Sequence, residues 1–509
     1  VTSFGTLRMT AADFAAVAAG RPTGQALTVL REGQISRRLL MLKSVADMAR
    51  RTVPDLWARS RAADGWELCK RARGADVEAF ERVVLAPHVG VWLARCLRAL
   101  TGSGPASGLT VDLARLGSFA AAAALRAQLR PEVTLSTPDG LLWLPTLGVA
   151  ELPEGTDRVR LDGRHLHLAG RTVALEEGHD RWQDAEPARW LPRHRVTVFP
   201  QGGRPVLSVA VEDADPYRLR AHGHPVQTRQ TPSQLARWET MLGEAWRLLA
   251  DLLPERAAAC AELCTALVPL LPDPAGRGRS SSSREAYGAV ATAPQNDPAR
   301  LAETLLHETA HVAFAALTDL VDLADPRDAS RHRVGWRPDP RPVGAVLTGT
   351  HAHLALLQFW ARRSRDVDGA AARTAAARFD HYGRHVTAAL RHLDGHRALT
   401  PLGTLFVDHM VAEAEHHGQR VRRSGGGGHP VGGPKEQSSP SSLRVMSGDS
   451  ARPWGNEGRS PRGYAAGAGE AAAVTGGDPS AIQTRRGAWT EQPRAVWHRE
   501  NGADAPYCA

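Results

Sequence analysis

Lysine is almost missing from this chain of 509 residues: only Lys43, Lys70 and Lys435 stand among 63 basic side chains. The formal charge of +9 is therefore carried by arginines, scattered among 54 acidic residues rather than gathered into one stripe. That distribution argues against a nucleic-acid partner, and the Ala/Arg/Gly/Pro-rich, Lys-poor composition points to GC-rich coding instead. Cysteine is also scarce. Cys69, Cys96, Cys260, Cys264 and Cys508 are too few and too spread for a disulfide framework. Cys260 and Cys264 share a helix face but lack the companion pair that a zinc site needs. No apolar run reaches the length of a membrane span. The opening VTSFGTLRMTAADF lacks the charged-then-apolar pattern of a secretory signal. These absences lead to an expectation of a protein of the reducing cytoplasm, with neither membrane nor nucleic acid as partner.

What is present is a globular composition, with 42% hydrophobic residues and length enough for two or three domains. Residues 1–132 read as a helical layer. Thr10 to Asp13 resembles a capping box, and helical spacing of apolar residues runs over Thr28–Arg51, Val77–Leu100 and Asp112–Arg130. Residues 133–230 change to strand-like alternation punctuated by Asp-Gly, Ala-Gly and Gly-Gly, the signature of hairpins. His165 and His167 share a strand face there, either as a solvated surface or as a metal pair. Residues 231–423 return to helix over Ser233–Leu253, Glu255–Leu271, Leu301–Leu323, Val343–Arg363, Gly369–Leu393 and Thr404–His417. Pro272–Pro298 reads as polar loop, with Ser280–Ser283 either a flexible linker or the approach to a short strand, Ala286–Thr292. Asp325–Pro342 also reads as loop, and loops beside sites often carry function. From Ser424 to Ala509 the chain is Gly/Ser/Pro/Arg-rich without periodicity, as expected of disorder. The fold class expected is α+β and predominantly helical: an N-terminal helical layer, a small antiparallel sheet, a C-terminal helical metal-binding region and a disordered tail.

The strongest chemical signal is His307-Glu308-Thr309-Ala310-His311, an HExxH pentad. Residues four apart lie on one helix face, a turn apart, so His307 and His311 can offer two imidazoles to one metal ion. The surrounding helix is apolar nearly all round, which predicts burial, and buried imidazoles and carboxylates are costly unless paired or metal-bound. Glu308 is placed to touch a metal-bound water rather than the metal itself.

A catalytic ion needs a third protein ligand. The extended pattern HExxHxxGxxH fails, because Phe314 and Leu317 stand at its glycine and third histidine. A downstream glutamate is nearly excluded, since no Glu occurs between Glu308 and Glu413. Asp319, Asp322 and Asp325 lie on the same helix or just past it. Val343–Arg363 is the better supplier, through either His351 or His353. These two face different sides of their helix, so only one can meet the pentad.

LAETLLHETAH, the preceding SSSREAYGAV, the following GWRPDPRPVGAVLTGTHAHLALLQFW and the earlier EDADPYR together resemble the HExxH-motif peptide-modification proteins of actinobacterial clusters for ribosomally made, post-translationally modified peptides. The resemblance spans residues 4–420, is most specific over 280–360, and leaves the tail without a counterpart. It implies an iron(II)- and 2-oxoglutarate-dependent peptide β-hydroxylase using O2. It also implies a ribosomally made precursor peptide and a radical-SAM maturase of the same cluster as partners. Ala352-His353-Leu354-Ala355 matches the family's downstream motif, so the resemblance assigns the third ligand to His353. His351 stands where the family carries an aromatic residue. His307, His311 and His353 would then form a facial set with open positions for the co-substrates. The distal carboxylate of 2-oxoglutarate calls for a cation, ideally an arginine fork, with Arg284, Arg337 and Arg341 as candidates. Glu308 would orient a ligand or a bound water. Two other readings remain: an HExxH zinc metallopeptidase with Glu308 as general base, and a non-catalytic peptide-binding scaffold.

Overall fold

Short polar side chains open the helices. Thr10 caps α1 (Ala11–Ala18) by accepting the Asp13 amide at 3.0 Å, and Thr23 caps α2 (Gly24–Thr52) by accepting that of Ala26 at 3.1 Å. The computed structural model describes residues 6–168, 171–174, 189–276, 278–419, 421 and 442–446. It is an α+β protein, predominantly helical. The chain enters through strand β1 (Thr6–Thr10). After α2 the helical layer continues as α3 (Pro54–Arg59), α4 (Ala62–Ala75), α5 (Val77–Val84), α6 (Pro87–Leu100) and α7 (Leu109–Arg126). The single helix expected over 77–100 is thus two, bent by 71°. Pro87 explains the break, since its ring fits a first turn but not a helix interior. Helices α4 and α7 approach backbone to backbone at Gly65, where a Cβ would lie 2.7 Å from the Gly117 nitrogen. Among the described residues no single helix is long and apolar enough to cross a membrane.

The β-rich region supplies β2 (Glu132–Ser136), β3 (Leu141–Leu144), β4 (Gly148–Glu151), β5 (Arg158–Asp162), β6 (His165–Leu168), β7 (Arg171–Ala174), β8 (Arg189–Pro192), β9 (His194–Val198) and β10 (Leu207–Val211). Asp162-Gly163 turns β5 into β6, and Gly202-Gly203 turns β9 into β10, each glycine at positive φ. Two antiparallel sheets result, β2-β5-β6-β7 and β3-β4-β8. A 3-10 turn (Pro216–Arg220) then leads to α8 (Pro232–Leu252), opened by a reciprocal Thr231/Gln234 capping box, and to α9 (Pro254–Leu263).

The small antiparallel sheet expected within 133–230 is present as the two sheets β2-β5-β6-β7 and β3-β4-β8, and the β-structure extends beyond that region. A five-stranded mixed sheet, ordered β12-β13-β11-β10-β9, joins that region to β11 (Ala266–Pro269), β12 (Ser280–Ser282) and β13 (Ala289–Thr292). Its β10–β11 and β11–β13 pairings are parallel. The helix expected through Leu271 ends at Leu263 because the run Ala266–Pro269 is a fully buried strand. A short apolar run cannot be told from buried helix by periodicity alone. The sheet divides two cores. Leu207, Val209, Val211, Leu267 and Val290 face one, while Ala266, Val268, Ala289 and Ala291 face the other, as strand alternation requires.

On the first of these faces lie α10 (Pro298–Thr318), the hairpin β14 (His332–Val334) and β15 (Arg337–Arg341), then α11 (Val343–Arg363), α12 (Gly369–Leu393) and α13 (Pro401–His416). The segment expected as plain loop over 325–342 therefore contains a hairpin. Of the tail expected to be disordered, Ser442–Met446 forms β16, antiparallel to β1. The β1 strand offers an open edge to pair with. The remainder of 424–509 lies outside the described residues.

Candidate metal centre

Helix α10 starts at Pro298 behind Asp297, whose carboxylate accepts the Ala299 amide at 2.9 Å. With the start set, His307 and His311 fall on one face. Their Nε2 atoms stand 3.1 Å apart and their Nδ1 atoms have no hydrogen-bond partner. For metal–nitrogen bonds of about 2.1 Å, this separation subtends roughly 95° at a shared ion. Burial pushes the His307 pKa down to about 4 and that of His311 to about 3. Both imidazoles are thus neutral near pH 7, the form that ligates.

Helix α11 carries the two candidate third ligands to opposite sides. The His353 ring centroid lies 5.3 Å from that of His307. Its Nδ1 donates to the Gly349 carbonyl at 2.7 Å, which fixes the tautomer and leaves Nε2 with its lone pair free. Trp336, in the turn of the β14–β15 hairpin, stacks on the His353 ring at 4.3 Å. Gly349 makes room for it, since a Cβ there would meet the indole at 2.8 Å. His351 instead turns into the core. Its Nε2 bonds the Val17 carbonyl at 2.8 Å, and its ring packs against Phe314 and Phe406.

Glu308 is buried, and both of its oxygens are held. Ser280 donates to Oε1 at 2.7 Å and Ser282 to Oε2 at 2.8 Å. The serines reach it together because they are two apart on β12 and so share a face. The linker reading of Ser280–Ser283 gives way to a strand, paired antiparallel with β13.

The arginines separate. Arg284 is bound to Asp319, its Nε at 2.6 Å, and Gln34 joins the same carboxylate. Asp319 lies eight residues beyond His311, about 12 Å of helix rise, which places Arg284 at the far end of α10. This corrects its assignment to the co-substrate, because its charge is committed to a buried carboxylate. Arg337 and Arg341 flank Asp339 on β15, at 3.7 and 2.7 Å, on the hairpin whose turn covers His353. Sequence reasoning missed Trp336, Ser280, Ser282 and the second-layer residues Tyr382 and His385, whose rings lie 5.7 and 6.4 Å from that of His353. The Ser-x-Ser spacing was a legible signal; the others depend on how α12 and the hairpin pack. His165 and His167 sit on an open face of β6, with His167 Nδ1 3.1 Å from the Thr172 hydroxyl.

His307, His311 and His353 form a loose set. Among the described residues, the one trio of His, Cys, Asp or Glu side chains with ligand atoms all within 4.8 Å of one another is His88, Glu212 and Asp215. No protein-family model matches the chain, and no curated protein matches it. The resemblance to peptide β-hydroxylases therefore rests on the motifs themselves.

Proposed function

We propose that the chain is an iron(II)- and 2-oxoglutarate-dependent hydroxylase acting on a side-chain β-carbon of a ribosomally synthesised precursor peptide. One observation carries this reading over the peptidase. The carboxylate that a zinc peptidase uses as general base is engaged on both oxygens by Ser280 and Ser282. Its neighbours also fit the proposal. The third group facing the pentad is an imidazole, His353, so the donor set is three neutral nitrogens.

Bound iron, with 2-oxoglutarate and O2 as co-substrates, would supply the oxidising chemistry. The chain's own residues do the rest. His307 and His311 would hold the ion from one helix face, with His353 facing them from α11, its ring pinned by Gly349 and Trp336. Glu308, fixed by two hydroxyls, sets the strand β12 against α10 and so holds the pitch of the two imidazoles. Arg337 and Arg341 remain the candidates for the distal carboxylate of 2-oxoglutarate, through charge-assisted hydrogen bonds. The same reading places the protein in a reducing cytoplasm, where the buried free thiols Cys69, Cys96, Cys260 and Cys264 stay reduced. Its partners there are the precursor peptide and a radical-SAM maturase of the same cluster.

The test is the mass of a co-expressed precursor, repeated in vitro with iron(II), 2-oxoglutarate and O2. A gain of one oxygen, with 2-oxoglutarate consumed, is the expected result. A shortened peptide made by the zinc-loaded protein without 2-oxoglutarate, and lost on Glu308→Gln, would overturn it in favour of the peptidase. Binding with no change in mass would favour the scaffold.

A further inference from the structure

The tight trio lies away from α10. His88 is in the first turn of α6 and is 1% exposed; Glu212 and Asp215 follow β10 and are 8% exposed. His88 Nδ1 stands 3.6 Å from Asp215 Oδ2 and 3.9 Å from Glu212 Oε2. These gaps are long for hydrogen bonds. They match the roughly 3–4 Å that separates two ligands bound at about 2.1 Å to one ion.

Each carboxylate is already oriented from behind. Arg193 holds Glu212 by Oε1, leaving Oε2 turned to His88. Asp215 accepts Trp143 Nε1 and the Tyr217 amide, both at 2.9 Å. Arg218 donates to the Asp215 backbone carbonyl at 2.8 Å and lies within electrostatic reach of its carboxylate. Neighbouring Asp213 is instead taken up by Arg229 and the Gln230 amide. Outer partners of this kind orient ligands around metals.

Buried imidazole nitrogens beside the trio also lack partners. His88 Nε2, on the ring edge away from the Nδ1 that faces the carboxylates, has none. His222, whose ring stands edge-on to that of His88 at 5.9 Å and is 1% exposed, has a partner on neither nitrogen. Buried imidazole nitrogens left unpaired are costly and rare. A small cavity of about 20 Å³, room for one water, lies against the two carboxylate residues and is lined in part by Trp143, Arg193, Glu212, Asp213 and Asp215.

We propose that His88, Glu212 and Asp215 form a second, structural metal site for a divalent first-row cation such as manganese or zinc. One imidazole and two carboxylates suit such ions. The ion ties the start of α6 to the segment that follows β10. It stabilises the fold because a ligand that binds only the folded state raises its melting temperature.

The experiment uses the full chain carrying His307→Ala and His311→Ala, which silences the pentad, stripped with chelator and titrated with Mn2+ or Zn2+. The expected result is one equivalent bound and a melting temperature raised by a few degrees. Glu212→Gln, which keeps size and hydrogen bonding, should weaken that binding by more than about 100-fold, beyond the usual loss for an outer partner. His88→Gln serves should that variant not fold. Anomalous diffraction from zinc-loaded wild-type crystals should place an ion against His88 Nδ1. No saturable binding in the silenced protein, unchanged binding in both variants, or an ion located elsewhere overturns the proposal.

Discussion

The two histidine clusters differ in how their members meet. In the pentad, two ligand candidates sit one turn apart on α10 and the third comes from the next long helix, so the geometry is set almost within one local unit. In the His88 cluster, the members come from the start of α6 and from the segment after β10, more than a hundred residues on. The first is all imidazole, neutral and partly open to solvent at His307 and His311. The second is rich in carboxylate and closed in by Trp143 and Tyr217. An open, neutral set with unfilled positions suits chemistry. A closed, anionic one suits a structural ion. The contrast shows that a recognisable motif and the tightest donor geometry need not coincide in one chain.

The largest expected effect separates the two clusters directly. His307→Ala with His311→Ala should abolish turnover while metal analysis of the reconstituted protein falls from two divalent ions per chain to one. A fall to none would mean that the clusters are not independent.

Next comes the pair on α11. His353→Ala should abolish tight iron binding, read by titration under anaerobic conditions. His351→Ala should leave iron affinity near wild type. It should lower stability by about 2 kcal/mol, because it removes the hydrogen bond to the Val17 carbonyl and opens a void between Phe314 and Phe406. The opposite pattern would reverse the assignment of the third ligand.

Glu308→Gln tests whether the carboxylate positions or catalyses. As a positioning residue held by Ser280 and Ser282, its loss should cost about 10–100-fold in hydroxylation, with product still measurable by mass. Complete loss of activity with metal retained would argue for the general-base role.

The smallest effect concerns the cover over His353. Gly349→Ala places a Cβ within 2.8 Å of Trp336 and should displace the indole from the His353 ring. The expected outcome is a few-fold loss of iron affinity and a stability cost of about 1–3 kcal/mol, the usual range for overpacking. Unchanged affinity and melting temperature would show that the hairpin does not hold the ligand.

Much of this protein could be read along the chain. Helices α11 and α12 begin and end where the apolar spacing said they would, and Thr10, Pro298 and the Gly202-Gly203 turn act as their residue types dictate. The pentad's shared face follows from the helical repeat alone. These features are local: a repeat of 3.6 or of 2, a cap and a turn are written within a few neighbouring residues. Other features were decided only in three dimensions. Ala266–Pro269 became a strand because a sheet was waiting on both sides of it. Ser280 and Ser282 became partners of Glu308 because β13 drew them against α10. Arg284 was paired with Asp319 at the far end of α10, and His351 was turned into the core against Val17, Phe314 and Phe406. His88, Glu212 and Asp215 had no common motif at all. Their meeting depends on where α6 packs against the end of β10, and packing between distant segments is set by the summed burial of many side chains rather than by any short stretch of sequence.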